Sequence, residues 1–334
     1  MDFRKPPVLF NEKGKIRTVG FELEFSNLGI EESVKIIQEL YGGKIEKINR
    51  FYHKVLDTKL GDFTVEFDLK LLTEKSYKKL FNRFKINIDD VKIGNTSLEE
   101  GIETVLESIV GKIFPYEIAS PPIIITQLDE LEKLRESLFR HHAHGTKSFL
   151  TNAYGTHINI EVPDDNPQTV MLYLRSFLLL YPWLLEEGDT DFARKVSPFI
   201  DPFPEDYVRL VLNKNYNPDL STIIVDYHQF NPDRNRPLDL YPLLAYLKGD
   251  ILSKYPNLGK VKPRNTFHYR LPNSSISEPG WSLAQEWNNW VYIEELANDP
   301  AKVELMSEEY LNLKEITYIG FDFRWTRRIQ QWLN

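Results

Sequence analysis

The chain has 334 residues, 42% of them hydrophobic, 13% aromatic and 27% charged, with a net charge of −8 and no cysteine. That length and apolar content support a sizeable core in one or two domains. The acid excess argues against nucleic acid as the main partner, because nucleic acid is held by a basic surface. The missing cysteine excludes disulfides, thiolate metal sites and a thiol nucleophile.

Residues 1–15, MDFRKPPVLFNEKGK, lack the apolar core of a secretory signal, so a cytoplasmic location is expected. Thr18 to Phe25 alternates as a first strand, and Glu31 to Tyr41 places Val34, Ile37 and Leu40 at helical spacing. Phe63 to Leu69 alternates again. Ser97 is a candidate N-cap with Glu100 three residues on, opening a helix through Ile102, Val105, Leu106 and Ile109. Pro115 to Ser120 is a short strand stopped by Pro121 and Pro122. Leu128, Leu131, Leu134 and Leu138 mark a second amphipathic helix, and Thr156 to Val162 another strand.

Asn166 and Pro167 open an apolar helix. Its stretch from Val170 to Leu185 is too short for a membrane span, contains Arg175 and is broken by Pro182, so a buried helix is expected and no membrane partner. Prolines at 198, 202, 204, 218, 232 and 237 mark connecting loops. Leu238 to Tyr255 and Trp281 to Ala297 read as helices, with a strand from Thr266 to Leu271 between them. The sum is an α+β chain with an antiparallel or mixed sheet of about five to six strands and helices on one side. A main domain over residues 1–272 and a smaller helical part over 273–334 packed on it are expected, or one domain containing both.

The strongest local signal is Gly20-Phe21-Glu22-Leu23-Glu24-Phe25. On a strand, Glu22 and Glu24 share one face and the apolar residues the other, with the two acids about 7 Å apart at the backbone. Taken alone this fits the solvated face of an amphipathic strand. Repetition favours a site. Val65-Glu66-Phe67-Asp68 alternates in the same way, Tyr116-Glu117-Ile118-Ala119 sets one acid in an apolar strand, and Gly155-Thr156-His157-Ile158-Asn159-Ile160-Glu161 puts polar groups opposite isoleucines. Phe267-His268-Tyr269-Arg270-Leu271 pairs a histidine with an arginine. Such a face can cradle a hard divalent cation and phosphates, with oxygen-rich ligands suiting Mg2+ or Mn2+ over zinc.

These strands, in this order, resemble the carboxylate–amine ligase superfamily, which includes glutamine synthetase, the glutamate–cysteine ligases and a group of amidoligases. GFELEF resembles its first-strand Gly-x-Glu-x-Glu, YEIASPP its acid-then-Ser/Thr-Pro strand, GTHINIE its Gly-x-His-x-(Asn/His) strand, and FHYRLPNSS the late strand that carries Glu-x-Arg. The resemblance covers scattered blocks over residues 17 to 275 and implies a glutamine synthetase/guanido kinase-like catalytic domain. Carried over by position, Glu22, Glu24, Glu117 and His157 would be metal ligands. Asp68 would bind metal or the amine, and Arg270 would contact the ATP phosphates and the transferred phosphoryl group. His268 stands where the family has glutamate; it can still ligate a metal but brings no negative charge.

The implied reaction uses ATP and Mg2+ or Mn2+ to turn a carboxylate into an acyl phosphate, which an amine attacks to give an amide and phosphate. Cations and arginine neutralise the crowded anions, and Asp68 or Glu66 would hold the amine or take its proton. The expected partners are a small molecule or peptide bearing the carboxylate and the amine, and a homo-oligomer is compatible with the resemblance. The alternatives are a divalent-metal hydrolase or phosphotransferase on the same acidic sheet, and an inactive scaffold of the same fold, which His268 favours.

Arg264 and Lys262 precede the strand bearing Arg270 and add positive charge for phosphates. Lys147 and Asn152 are candidates to reach nucleotide or substrate from the loop after Arg140-His141-His142-Ala143-His144-Gly145. That histidine-rich run reads most simply as a surface loop, and a lid or phosphate-side loop ranks above a zinc site. His228 reads as hydrogen-bonded structure, Trp281, Trp287 and Trp290 as packing, and Trp325-Thr326-Arg327-Arg328 as a solvated helix. The chain has no glycine-rich phosphate loop and no Ser-His-Asp signature.

Overall fold

The computed structural model describes residues 1–67, 115–145, 154–188, 200–255, 258, 261–317 and 319–333. Among these, nine strands form one antiparallel sheet: β1 (Thr18–Phe25), β2 (Lys44–Asn49), β3 (Tyr52–Thr58), β4 (Gly61–Phe67), β5 (Tyr116–Ala119), β6 (Ile123–Ile124), β7 (Thr156–Glu161), β8 (Leu238–Asp239) and β9 (Thr266–Tyr269). The order across the sheet is β2-β3-β4-β5-β1-β7-β9-β8, with β6 beside the start of β1. The sheet is larger than five to six strands. The additions are β2, an exposed, charged edge strand, β6 and β8, of two residues each, and β3, which does alternate but has a histidine, His53, beside Val55 among its inward residues.

The described helices are α1 (Ile30–Tyr41), α2 (Asp129–Arg140), α3 (Pro167–Glu187), α4 (Glu205–Leu212), α5 (Leu220–Phe230), α6 (Tyr241–Leu252), α7 (Leu283–Ala297), α8 (Pro300–Ile316) and α9 (Phe321–Leu333). Their starts follow local chemistry. The Asn166 side chain accepts from Gln168 N with Pro167 in the first turn, Asp219 accepts from Thr222 N, and Ser282 accepts from Gln285 N. Pro202, Pro204, Pro218, Pro232 and Pro237 lie in connecting segments, as expected, and α4 and α5 occupy the stretches between them, with Pro204 capping α4 and Pro218 directly preceding the cap of α5. The helix expected from Leu238 begins at Tyr241, because Leu238 and Asp239 pair with β9 as strand. The helix expected around residues 97–109 lies outside the described residues, as does Leu69.

One face of the sheet is mainly apolar, with His53 and Thr156 as buried polar exceptions. Val19, Phe21, Leu23 and Phe25 of β1, Val55 of β3, Phe63 and Val65 of β4, Ile158 and Ile160 of β7 and Phe267 of β9 are all buried. Helix α1 covers the β3–β4 side, where Tyr41 stacks on Phe63 at 5.3 Å. Helices α3 and α7 cover β9: Tyr173 stacks on Phe267 at 4.9 Å, and Trp290 lies 5.7 Å from Phe267 and 5.5 Å from Tyr269. Burial of each such ring contributes roughly 2–3 kcal/mol. Because Phe267 and Tyr269 are committed to this core, His268 and Arg270 project to the opposite face.

Helix α3 is buried along most of its length, as its composition implies, and no described helix is long and apolar enough to cross a membrane. Trp281, Trp287 and Trp290 are buried packing residues. The solvated reading of the chain end is corrected at Trp325, which is fully buried with Nε1 donating to the Leu179 carbonyl at 2.7 Å; Arg327 and Arg328 stay exposed. The start of β1 is fixed by Arg17. Both its Nη atoms donate to the Glu294 carboxylate of α7 at 2.8 Å, and its Nε donates to the Glu161 carbonyl of β7 at 2.8 Å, with no exposure of either charged side chain.

Candidate functional site

The opposite face of the sheet gathers the polar residues of the sequence motifs. Antiparallel partners share a face, so the register gives neighbours directly. Glu66 of β4 pairs with Glu117 of β5, and Glu117 with Glu24 of β1, a row of carboxylates across three strands. In the next row Ala119, Glu22 and His157 are successive partners across β5, β1 and β7. In the third, Gly20 pairs with Asn159, Asn159 with His268 and His268 with Asp239.

At the centre, His157 Nδ1 donates to Glu22 Oε2 at 2.9 Å, and its Nε2 lies 3.7 Å from Glu24 Oε1. Asn159 Nδ2 donates to Glu22 Oε1 at 2.8 Å, and Arg264 Nη1 reaches the same oxygen at 3.4 Å. Burial pushes the Glu22 carboxyl upward. The hydrogen bond and charge of His157, with the charges of His268 and Arg264, outweigh it and hold Glu22 well below the usual carboxylate range. Glu24 Oε2 accepts from the Gly155 backbone N–H at 2.6 Å.

The far end of the face is basic. Arg270 Nη2 and Arg234 Nη2 donate to Asp239 Oδ2 at 2.7 and 3.0 Å, and Asp239 is wholly buried. Burial works against the Asp239 charge, but Arg270, Arg234 and His268 together keep its carboxyl below its ordinary value. Burial also drives His268 down to about 4, against the pull of Glu22 and Asp239, so its imidazole is neutral near pH 7.

Of the residues singled out in the sequence, Glu22, Glu24, Glu117, His157, His268 and Arg270 lie on this one face, with Arg264 reaching Glu22 from the segment before β9. Asp68 and Lys147 lie outside the described residues, as does Asn152. The histidine-rich segment is tied to the end of β1: Ser26 and His144 exchange backbone hydrogen bonds at 2.9 Å, and Asn27 Nδ2 donates to the His142 carbonyl at 2.9 Å. Its His141 Nδ1 turns back to the Ser137 carbonyl at 2.8 Å. His228 is structural, with Nδ1 2.9 Å from the Tyr241 hydroxyl and its ring stacked on Tyr255. Arg234 and Asp239 belong to this face without a periodic motif of their own; their one trace in the sequence is the charged Asp233-Arg234-Asn235-Arg236 run before a short apolar segment.

The donors on this face, carboxylate oxygens with one imidazole, suit Mg2+ or Mn2+ in type. As the side chains stand, His157 lies between the two β1 carboxylates, and among the described residues no group of three His, Asp or Glu is placed to hold a metal ion.

An antiparallel sheet with apolar residues and helices on one side, and an acid–imidazole–guanidinium face on the other, is the framework of an α+β enzyme-like domain. The sequence model of the family described as "Putative amidoligase enzyme" matches residues 15–292, from just before β1 into α7. The chain belongs to that family, so its class is that of a ligase-type enzyme. No curated protein and no solved structure matches it.

Proposed function

We propose that the protein is an ATP-dependent carboxylate–amine ligase that forms an amide through an acyl phosphate. The observation that carries the reading is the run of Glu117, Glu24, Glu22, His157, His268 and Arg270 across one sheet face in a chain of the amidoligase family. Glu22, Glu24, Glu117 and His157 would hold Mg2+ or Mn2+, with His157 turning from Glu22 to do so. The cation would neutralise phosphate charge and polarise the phosphoryl group. His268, neutral and buried, is a competent nitrogen donor at neutral pH.

Arg270 faces the nucleotide phosphates and stabilises charge on the transferred phosphoryl group. The substrate carboxylate attacks the γ-phosphorus and ADP leaves. The amine then attacks the acyl carbon, phosphate departs and the amine gives up a proton. Glu66, in the carboxylate row, and Asp68 are the acids proposed to hold the amine or accept that proton. The second reading is a family member that keeps the fold without turnover. The closed His157–Glu22 contact and the neutral His268 in place of a carboxylate favour it.

The test is phosphate release from ATP with Mg2+ or Mn2+ and pooled amino acids and short peptides, in the wild type, Glu22→Ala and Arg270→Ala. Release that needs both metal and a carboxylate–amine pair, and that both variants lose, is expected. A folded wild type that neither releases phosphate nor binds ATP·Mg2+ by calorimetry overturns the reading in favour of the second.

A further inference from the structure

The row of the sheet that holds Glu22 runs on beyond the candidate site. Across β5 and β4 it continues through Ala119 and Thr64 and reaches Lys54 of β3, with Glu46 of the edge strand β2 opposite. Antiparallel partners share a face, so Lys54 and Glu22 project to the same side of the sheet, three strand spacings or about 14 Å apart at the backbone. The two residues between them, Thr64 and Ala119, are small, uncharged and half-exposed. Glu66, Glu117 and Glu24 line the neighbouring row. The floor is a trough with Glu22 and His157 at one end and a lysine at the other.

Lys54 pairs with none of these acids. Glu46 faces it directly and Glu66 lies diagonally, opposite Tyr52, yet among the described residues no carboxylate is within ion-pair reach of Lys54. Its Nζ lies 5.8 Å from the centre of the Tyr52 ring, and the residue is half-buried. A lysine kept for solubility points into water, and one kept for stability takes a carboxylate within reach. An ammonium that is partly desolvated and has no counter-ion gains more from an anionic ligand than a fully hydrated one does. Beside three carboxylates a dianion is otherwise repelled, so the lysine decides whether one is admitted.

We propose that Lys54 determines specificity for the acid substrate: it takes the second carboxylate of a short dicarboxylic acid that lies along Thr64 and Ala119, with the reacting carboxylate at the Glu22 end. That a carboxylate reacts at that end rests on the ligase reading above; the anion anchor rests on the strand register and on the lysine's lack of a counter-ion.

The probes are glutarate and monomethyl glutarate, nearly equal in length and differing by one charge, titrated into the full-length protein with Mg2+ present and followed by ligand-observed NMR. The wild type is expected to bind glutarate about tenfold more tightly than its monomethyl ester. Lys54→Gln should reduce that preference to less than about threefold, and Lys54→Arg, which keeps the charge, should retain most of it. If Lys54→Gln does not fold, Lys54→Met carries the test with the same expectation. A wild type that does not prefer glutarate, or that binds neither probe, overturns the anchor, as does an equal preference in the wild type and a folded variant without the charge. Tripolyphosphate that binds more tightly to the wild type than to Lys54→Gln reassigns the lysine to nucleotide phosphates and overturns it too. Phosphate release in the amide-forming assay is scored separately. Release with monocarboxylic acids as readily as with dicarboxylic ones leaves the ligase and removes the anchor, whereas a Lys54-dependent glutarate preference without ATP turnover leaves the anchor and removes the ligase.

Discussion

His157 Nδ1 donates to Glu22 Oε2 at 2.9 Å across the β1–β7 pair, the link between the two strands that carry most of the candidate ligands. A cation bound by Glu22 has to replace that hydrogen bond, so Glu22 decides the affinity. Glu22→Gln removes the charge and retains much of the shape. Its Mn2+ affinity, measured by calorimetry, is expected to fall at least tenfold. Unchanged Mn2+ binding in this variant would put the metal elsewhere.

His268 makes stability depend on pH in a defined direction. Its folded value of about 4 lies below the ordinary 6.5 because burial disfavours the imidazolium. Between those values the unfolded chain binds a proton that the folded chain refuses, so acidification favours unfolding. The contribution is complete above pH 6.5 and is lost as pH falls toward 4. Urea unfolding in the presence of chelator should show the wild type losing about 2 kcal/mol more than His268→Gln between pH 7.5 and 5. Equal losses would mean that His268 is protonated in the folded protein.

The parts of the site legible in the sequence are those where alternation and burial coincide. Phe21, Leu23 and Phe25 must face the helices, and that alone aims Glu22 and Glu24 at the other face. The same logic placed His157 and Asn159 against Ile158 and Ile160, and His268 against Phe267 and Tyr269. Alternation fails where a strand has no buried face, as in Lys44–Asn49, and where it is too short to alternate, as in Leu238–Asp239. Asp239 was hidden for that reason, and Arg234 because proline-bounded loops carry no period. Which side chains touch was also not legible. Spacing put Glu22 and Glu24 together, but the insertion of His157 between them depends on the β1–β7 register, which only the assembled sheet fixes.

Gly145 sits where two segments near the site meet. A β-carbon there would lie 1.9 Å from the Ser274 carbonyl oxygen and 2.9 Å from Ile276 N, both backbone atoms that cannot rotate away. The same segment follows Asn273, which bridges to Gly155 at the head of β7. Gly145→Ala must push the histidine-rich segment off the 272–277 turn. A loss of at least about 2 kcal/mol is expected in denaturant unfolding. A variant as stable as the wild type would show that the two segments are not in this contact.

Arg17 and Glu294 form a buried pair with four further ties. Tyr173 Oη and Trp290 Nε1 donate to the Glu294 carboxylate at 3.1 and 2.8 Å, and Arg17 also donates to the Val8 and Glu161 carbonyls at 2.7 and 2.8 Å. Removing either charge strands the other in the core, a loss of roughly 3–5 kcal/mol. Glu294→Gln and Arg17→Met should each unfold at much lower urea than the wild type. The double variant Arg17→Met/Glu294→Gln leaves no buried charge and should recover part of the loss. The pair joins the start of β1 to α7, on the opposite side of the sheet from Glu22. A folded double variant should therefore keep the wild-type Mn2+ affinity while its stability falls. If Mn2+ binding fell along with stability, the pair would be setting the strand that carries Glu22 and Glu24 rather than only holding the core.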